Sequence, residues 1–350
     1  MAARSRSVGR YDLVVEVAKS QLGPLWAAAV PGVAGLEPRL VRCLEAGDDV
    51  SARDVDALAD VGRWSGGFLA EQAVSTLDVV SAGRDLALVT GYVPGETLRS
   101  LLRLAHFKRE PVAARVALAL TLDVCKALTA AEARALETAR GPEFLRGGLL
   151  PDSIWVGADG TTRVLDLGLA SMWRTVSSKA AHPEVAGYSA PEQLEPGALS
   201  ASADVFTLGI LLWELLAGGK RLFAGTSHRT VVEKLRKLTA PPAEPPGDAL
   251  DAVTLTLLRG MLEPDPRARV GNVQELRQSL EGMGSALASP REVADFITRV
   301  AANQLEGRER ALGRALARRP ASEPPPRPTA LPAANAVRAE LQGLGAAKPL

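Results

Sequence analysis

The first ninety-odd residues carry strand-like apolar stretches around one helical interval, and from Pro111 onward the apolar spacing is mostly helical. Tyr11–Val17 reads as a short strand, a turn-like break follows, and Leu25–Val30 is a second apolar stretch. Arg39–Leu44 predicts another strand, and Ala73–Val80 and Leu86–Val93 predict two more flanking the turn Ser81–Asp85. Between them, Val50–Val61 has helical spacing and ends at the loop-like Ser65-Gly66-Gly67. Pro111–Thr138 is rich in Ala and Leu with few breakers, which predicts one long helix. Leu149–Val156 and Thr162–Leu165 predict short strands about the turn Ala158-Asp159-Gly160. From Pro191 to Met283 the pattern is helical again, broken by the proline-rich loop Pro241–Pro246. Strands first and helices afterwards point to an α+β fold in two unequal lobes.

Ser289-Pro290 has the chemistry of an N-cap followed by a first-turn proline, and it opens a further helix to about Leu316. Val293, Phe296, Ile297 and Val300 give that helix an apolar stripe. Beyond Arg319, six prolines between Pro320 and Pro332 read as linker with polyproline II character. The expected organisation is a strand-rich lobe over 9–93, a helical lobe over 94–283, a helical extension over 289–318 and a proline-rich tail over 319–350.

Composition narrows the function. The 350 residues hold 41 basic and 40 acidic side chains, a net charge of +1. That balance argues against a dedicated nucleic-acid binder, which needs a concentrated basic surface, and gives no electrostatic reason to sit on an anionic membrane. Cys43 and Cys125 are the only cysteines, too few for a disulfide framework and without zinc-site spacing. Met1–Arg10 is polar and basic, with no export-type apolar run after it. The most apolar run, Val205–Leu216, contains Glu214 and is far shorter than the ~20 residues that span a bilayer. A soluble, cytoplasmic chain is expected.

Three segments, in order, carry the chemistry. Asp166-Leu167-Gly168 places a carboxylate just after a short strand, Ala190-Pro191-Glu192 follows, and then Asp204 opens an apolar helix containing Trp213-Glu214-Leu215-Leu216. Each alone is weak; the ordered set is specific. It resembles the eukaryotic-like serine/threonine protein kinases of bacteria, over roughly Gly9 to Leu280. The resemblance implies a bilobal kinase-like fold, with Asp166-Leu167-Gly168 as D-F-G and Ala190-Pro191-Glu192 as A-P-E. Leu88–Gly95, including Tyr92 and Val93, resembles the hinge between lobes. Glu192, Asp204 and Arg269 match scaffold positions, with Glu192 and Arg269 expected to form a largely buried ion pair.

The positions that do chemistry depart from the family one by one. Where a glycine-rich loop would cover phosphates, Val17–Gly23 keeps only Gly23, with Ala18 and Ser20 in place of the first two glycines. The lysine of V-A-I-K falls on Arg42, a bulkier planar cation, and Asp56 is the only guess for its helix partner. Pro151 aligns Arg146–Ser153 with H-R-D-L-K-P-E-N. The proton-accepting Asp becomes Gly148, the phosphate-contacting Lys becomes Leu150, and the metal-binding Asn becomes Ser153. Asp166 alone is retained, as a vestigial metal and nucleotide position beside Gly23, Arg42, Tyr92 and Val93. The arginine that would hold an activation-segment phosphate is Gly147, so Ser171, Thr175, Ser177 and Ser178 read as plain loop residues.

The leading expectation is a pseudokinase, a kinase-shaped signalling or scaffold module that binds a protein partner such as a genuine kinase. No cofactor is expected, with ATP and Mg²⁺ implied only if the nucleotide site is retained. One alternative is an active, divergent nucleotide transferase using Asp152, Asp166 and Lys19. Another is a structural subunit of a larger assembly.

Overall fold

Pleating sends successive side chains of a strand to opposite faces, and the sheet uses this to build two apolar layers. The computed structural model describes residues 6–32, 35–44, 50–82, 85–141, 145–176, 182–194, 200–246 and 250–317. Its first part is an antiparallel six-stranded sheet in the order β1-β2-β3-β4-β6-β5. The strands are β1 (Arg6–Val8), β2 (Tyr11–Ser20), β3 (Gly23–Gly32), β4 (Gly35–Leu44), β5 (Thr76–Ala82) and β6 (Asp85–Gly91). Tyr11, Leu13, Ala28, Val30, Val41, Ala87 and Val89 pack together on one side. Leu25 and Leu40 instead meet Trp155 and Leu165 of the following lobe. Helix α1 (Ala52–Trp64) starts in a capping box, in which the Ser51 hydroxyl accepts from the Asp54 N–H and the Asp54 carboxylate accepts from the Ser51 N–H. Its Val55, Leu58 and Ala59 pack with Leu22, Leu44, Leu86 and Leu88.

The second lobe is helical around a small sheet, β7 (Gly95–Thr97), β8 (Ile154–Gly157) and β9 (Thr162–Val164). Its helices are α2 (Leu98–Lys108), α3 (Ala114–Glu137), α4 (Leu169–Val176), α5 (Pro183–Ala186), α6 (Ala203–Leu216), α7 (His228–Arg236), α8 (Ala252–Met261) and α9 (Val273–Gly282). Helix α6 is apolar nearly all round and is buried on every side, as such a helix must be. It packs against α3, α8 and α9.

Helix α10 (Pro290–Ala317) is kinked at Ala301 (φ −107°, ψ 17°). Ser289 and Glu292 cap it reciprocally. Val293, Phe296, Ile297 and Val300 join the helical-lobe core. The helix also touches β2, β3, β4 and β7, so it reaches both lobes.

Three of the expected strands are shorter in the structure. Leu86–Val93 pairs only to Gly91, leaving Tyr92 and Val93 before Pro94 in the connection. Leu149–Val156 is strand only from Ile154, because Pro151 has no N–H for a ladder. Ala73–Val80 becomes a strand at Thr76, with Ala73 making an isolated bridge to Val164. The proline-rich tail, Ser177 and Ser178 lie outside the described residues. No described helix is long and apolar enough to cross a membrane.

Candidate active-site cleft

Gly23, Arg42, Asp152 and Asp166 meet in the cleft between the lobes. At its upper edge, β2 and β3 close in a tight hairpin, Ser20 pairing with Gly23 across Gln21 and Leu22. Gly23 is required there: φ is +102°, and a Cβ would stand 2.0 Å from the Cys43 carbonyl oxygen. Leu22 is buried, and the Gln21 carbonyl accepts from the Trp173 indole N–H of α4 at 3.0 Å. The Lys19 side chain is 79% exposed, with its ammonium 3.5 Å from Glu16.

Arg42 lies on β4, two residues from Leu40 and on the same face. Its guanidinium donates to Asp166 Oδ2 (3.0 Å), Ser20 Oγ (3.3 Å), and the carbonyls of Gly23 (3.1 Å) and Asp152 (3.1 Å). The Arg42 and Asp166 side chains are 1% and 3% exposed. Asp56, the guessed partner, is exposed on α1. Helical spacing turns it to the outside, and the true partner comes from the other lobe. Asp166 itself is in the left-handed region (φ 57°), which aims its carboxylate across the cleft.

Below it, the catalytic-loop positions are filled or closed. Gly147 (φ +73°) donates its N–H to Asp204 Oδ1 at 2.9 Å, so the Asp204 carboxylate of α6 pins this loop. A Cβ on Gly148 would stand 2.5 Å from the Ser171 backbone nitrogen. Helix α4 thus occupies the volume that a side chain at 148 would need. Leu150 is buried in the helical-lobe core. Ser153 is buried with no hydrogen-bond partner for its hydroxyl. Asp152 is taken by Arg99, at 2.6 Å. Among the described residues no group of three or more His, Cys, Asp or Glu is placed to hold a metal ion. A divalent cation takes several oxygen ligands, and Asp166 with a guanidinium at its carboxylate does not fit one.

Glu192 and Arg269 form a bidentate pair (2.7 and 3.0 Å), with the Arg269 side chain fully buried. The remaining Arg269 donors reach the carbonyls of Glu263, Ser202 and Pro264. Burial pulls the Glu192 carboxyl upward, but hydrogen bonds from Arg269 and Ser200 outweigh it and hold the group below the ordinary range.

At the hinge end, Tyr92 is partly buried, and burial pushes its hydroxyl pKa up against the pull of Arg308. The Val93 carbonyl accepts from the Trp155 indole N–H at 3.1 Å. Arg308 of α10 bonds the Gly95 carbonyl and Glu96 Oε2 (2.8 Å), with its guanidinium carbon 5.5 Å from the Trp155 ring centroid. Sequence reasoning missed Trp155, Glu96 and Arg308. A tryptophan in a short strand reads as core, and only its position two residues past Ser153 set it apart.

The protein kinase domain family matches residues 68–280. Serine/threonine-protein kinase PknB of Mycolicibacterium smegmatis is 25% identical over 214 residues, 59% of this chain and 32% of that protein. PknL of Mycobacterium tuberculosis is 26% identical over 219 residues, 62% of this chain and 52% of its own. PknB of Mycobacterium tuberculosis is 28% identical over 201 residues, 55% of this chain and 29% of its own. The chain therefore spans between about a third and a half of the length of these relatives.

Proposed function

The chain belongs to the protein kinase family, and from that premise we propose that it is a pseudokinase, a signalling module that binds a protein partner and transfers no phosphate. Arg42 carries this reading. Its guanidinium stands in the cleft with four hydrogen-bond partners of the chain's own, among them Asp166, the one retained metal position. Phosphoryl transfer depends on positioning, metal ions and charge stabilisation. Here the metal position is neutralised and the proton acceptor is a glycine. Loss of a positioned base alone costs ~10²–10⁴-fold, and losses falling on one transition state act together. The proposed partner is a protein, such as a competent kinase.

The test is radiolabelled-ATP transfer by purified wild type and Asp166→Asn with Mg²⁺ or Mn²⁺, beside complementation of a deletion strain. We expect no label from either protein and full complementation by the folded variant. Label from wild type that disappears in Asp166→Asn, with failed complementation by a stable variant, would refute the proposal.

A further inference from the structure

We infer that the base end of the cleft is occupied by the chain itself: the Trp155 indole stands where a purine would lie, and Arg308 lids it. The inference rests on the kinase reading of the cleft and states what fills the nucleotide's place.

Indole and adenine are both flat, fused two-ring systems that present an N–H donor on one edge, the ring N–H in indole and the exocyclic amine in adenine. Trp155 uses that edge on the Val93 carbonyl, at the connection between lobes. The ring is 1% exposed and packs with Leu25 and Leu40 from the sheet and Leu165 from the helical lobe. The backbone is shaped for it. A Cβ on Gly95 would stand 2.5 Å from the indole nitrogen, and Gly95 is not among the positive-φ glycines. Glycine is there for space rather than for conformation. The lid is equally fixed. Arg308 is 5% exposed and Glu96 1%, and the Glu96 carboxylate also accepts from the Thr97 N–H. A guanidinium over a tryptophan face is the most favourable cation–π pairing. A purine entering the slot would have to displace the indole from the carbonyl, both leucines and the guanidinium together. Lobe closure therefore needs no nucleotide, and docking of α10 takes over its bridging role.

The test uses the full chain and adenosine, which needs neither metal nor phosphate contacts. Wild type should show no calorimetric binding of adenosine at millimolar concentration. Trp155→Ala opens an apolar, ring-shaped cavity, and such cavities accept ring-shaped ligands. Free indole and adenosine should each raise its melting temperature, compete with one another, and bind at least ~10-fold more tightly than to wild type. Should Trp155→Ala fail to fold, Trp155→Leu keeps apolar bulk and takes the same titration with the same expectation. Micromolar adenosine binding by wild type would overturn the inference without any variant. An inactive wild type whose folded variant ignores both rings would overturn the occupancy alone. Phosphate transfer by wild type would instead overturn the proposed function.

Discussion

Replacing Arg42 by methionine tests the centre of the cleft most directly. The substitution keeps the apolar stem but strips four hydrogen bonds, leaving the Asp166 carboxylate and the Asp152 carbonyl without the guanidinium, while the Gly23 carbonyl keeps the Ser20 hydroxyl. Breaking a buried ion pair by removing one partner costs roughly 3–5 kcal/mol. Both side chains are nearly inaccessible, so water does little to soften that loss. Asp166→Leu should cost about the same, because it strands the guanidinium. The double variant removes both charges and leaves the Asp152 carbonyl without the guanidinium, at ~1–3 kcal/mol before relaxation. It should therefore be more stable than the sum of the singles implies, with a coupling energy of about 2–3 kcal/mol. Urea denaturation followed by circular dichroism measures all four corners of the cycle. Single variants within ~0.5 kcal/mol of wild type, or strictly additive losses, would show that the pair does not organise the cleft.

Other expectations follow from single contacts. Arg269→Ala should cost roughly 3–5 kcal/mol and Glu192→Gln less, since the amide keeps one acceptor; wild-type melting in both would refute the pairing. The Glu192 carboxyl is held below its ordinary range, so its contribution is complete above the unfolded value of about 4.3. It is lost as pH falls through the lower folded value, and Glu192→Gln should flatten that part of the acid-side stability profile. Gly148→Asp should destabilise the chain without producing phosphotransfer, because even a Cβ collides with Ser171; a well-folded variant that labels a substrate would contradict this. Cys125 is fully buried, and burial pushes its thiol pKa far up, so an Ellman titration should count at most Cys43 in the native chain and both thiols after unfolding. Two fast thiols in the native chain would be the contrary result.

The scaffold was legible because its residues are fixed by local grammar. Asp166, Glu192, Asp204 and Arg269 sit in short ordered motifs whose spacing survives without any tertiary information. The bilobal α+β arrangement followed from the change in apolar period. Pairings across the cleft were not legible in the same way. Arg42 stands out as a substitution, yet its partner lies 124 residues away, and nothing in the motif around Asp166 says that its carboxylate pairs with Arg42. Gly148 reads as a lost base, but the backbone of Ser171 beside it is visible only in three dimensions. For α10, an apolar stripe says that a helix packs, not against which surface. The kink at Ala301 and the burial of Arg308 beside Glu96 settle that, and both are tertiary facts.

The reach of α10 has a consequence for how the chain is made and cut. The contact between Arg308 and Gly95 joins residues 213 positions apart. At ~5–20 residues per second of synthesis, that interval lasts roughly 10–40 s. During it the hinge strand has left the ribosome before its lid exists, with Glu96 and the edge of the Trp155 pocket open to solvent. Contacts of such separation are also entropically late in refolding. A fragment ended at residue 280, where the family match stops, would freeze this half-made state. It would expose the faces that α10 covers and behave as a stickier, less stable molecule than the whole. Fragments for expression, partner capture or crystallisation should therefore run at least through Ala317.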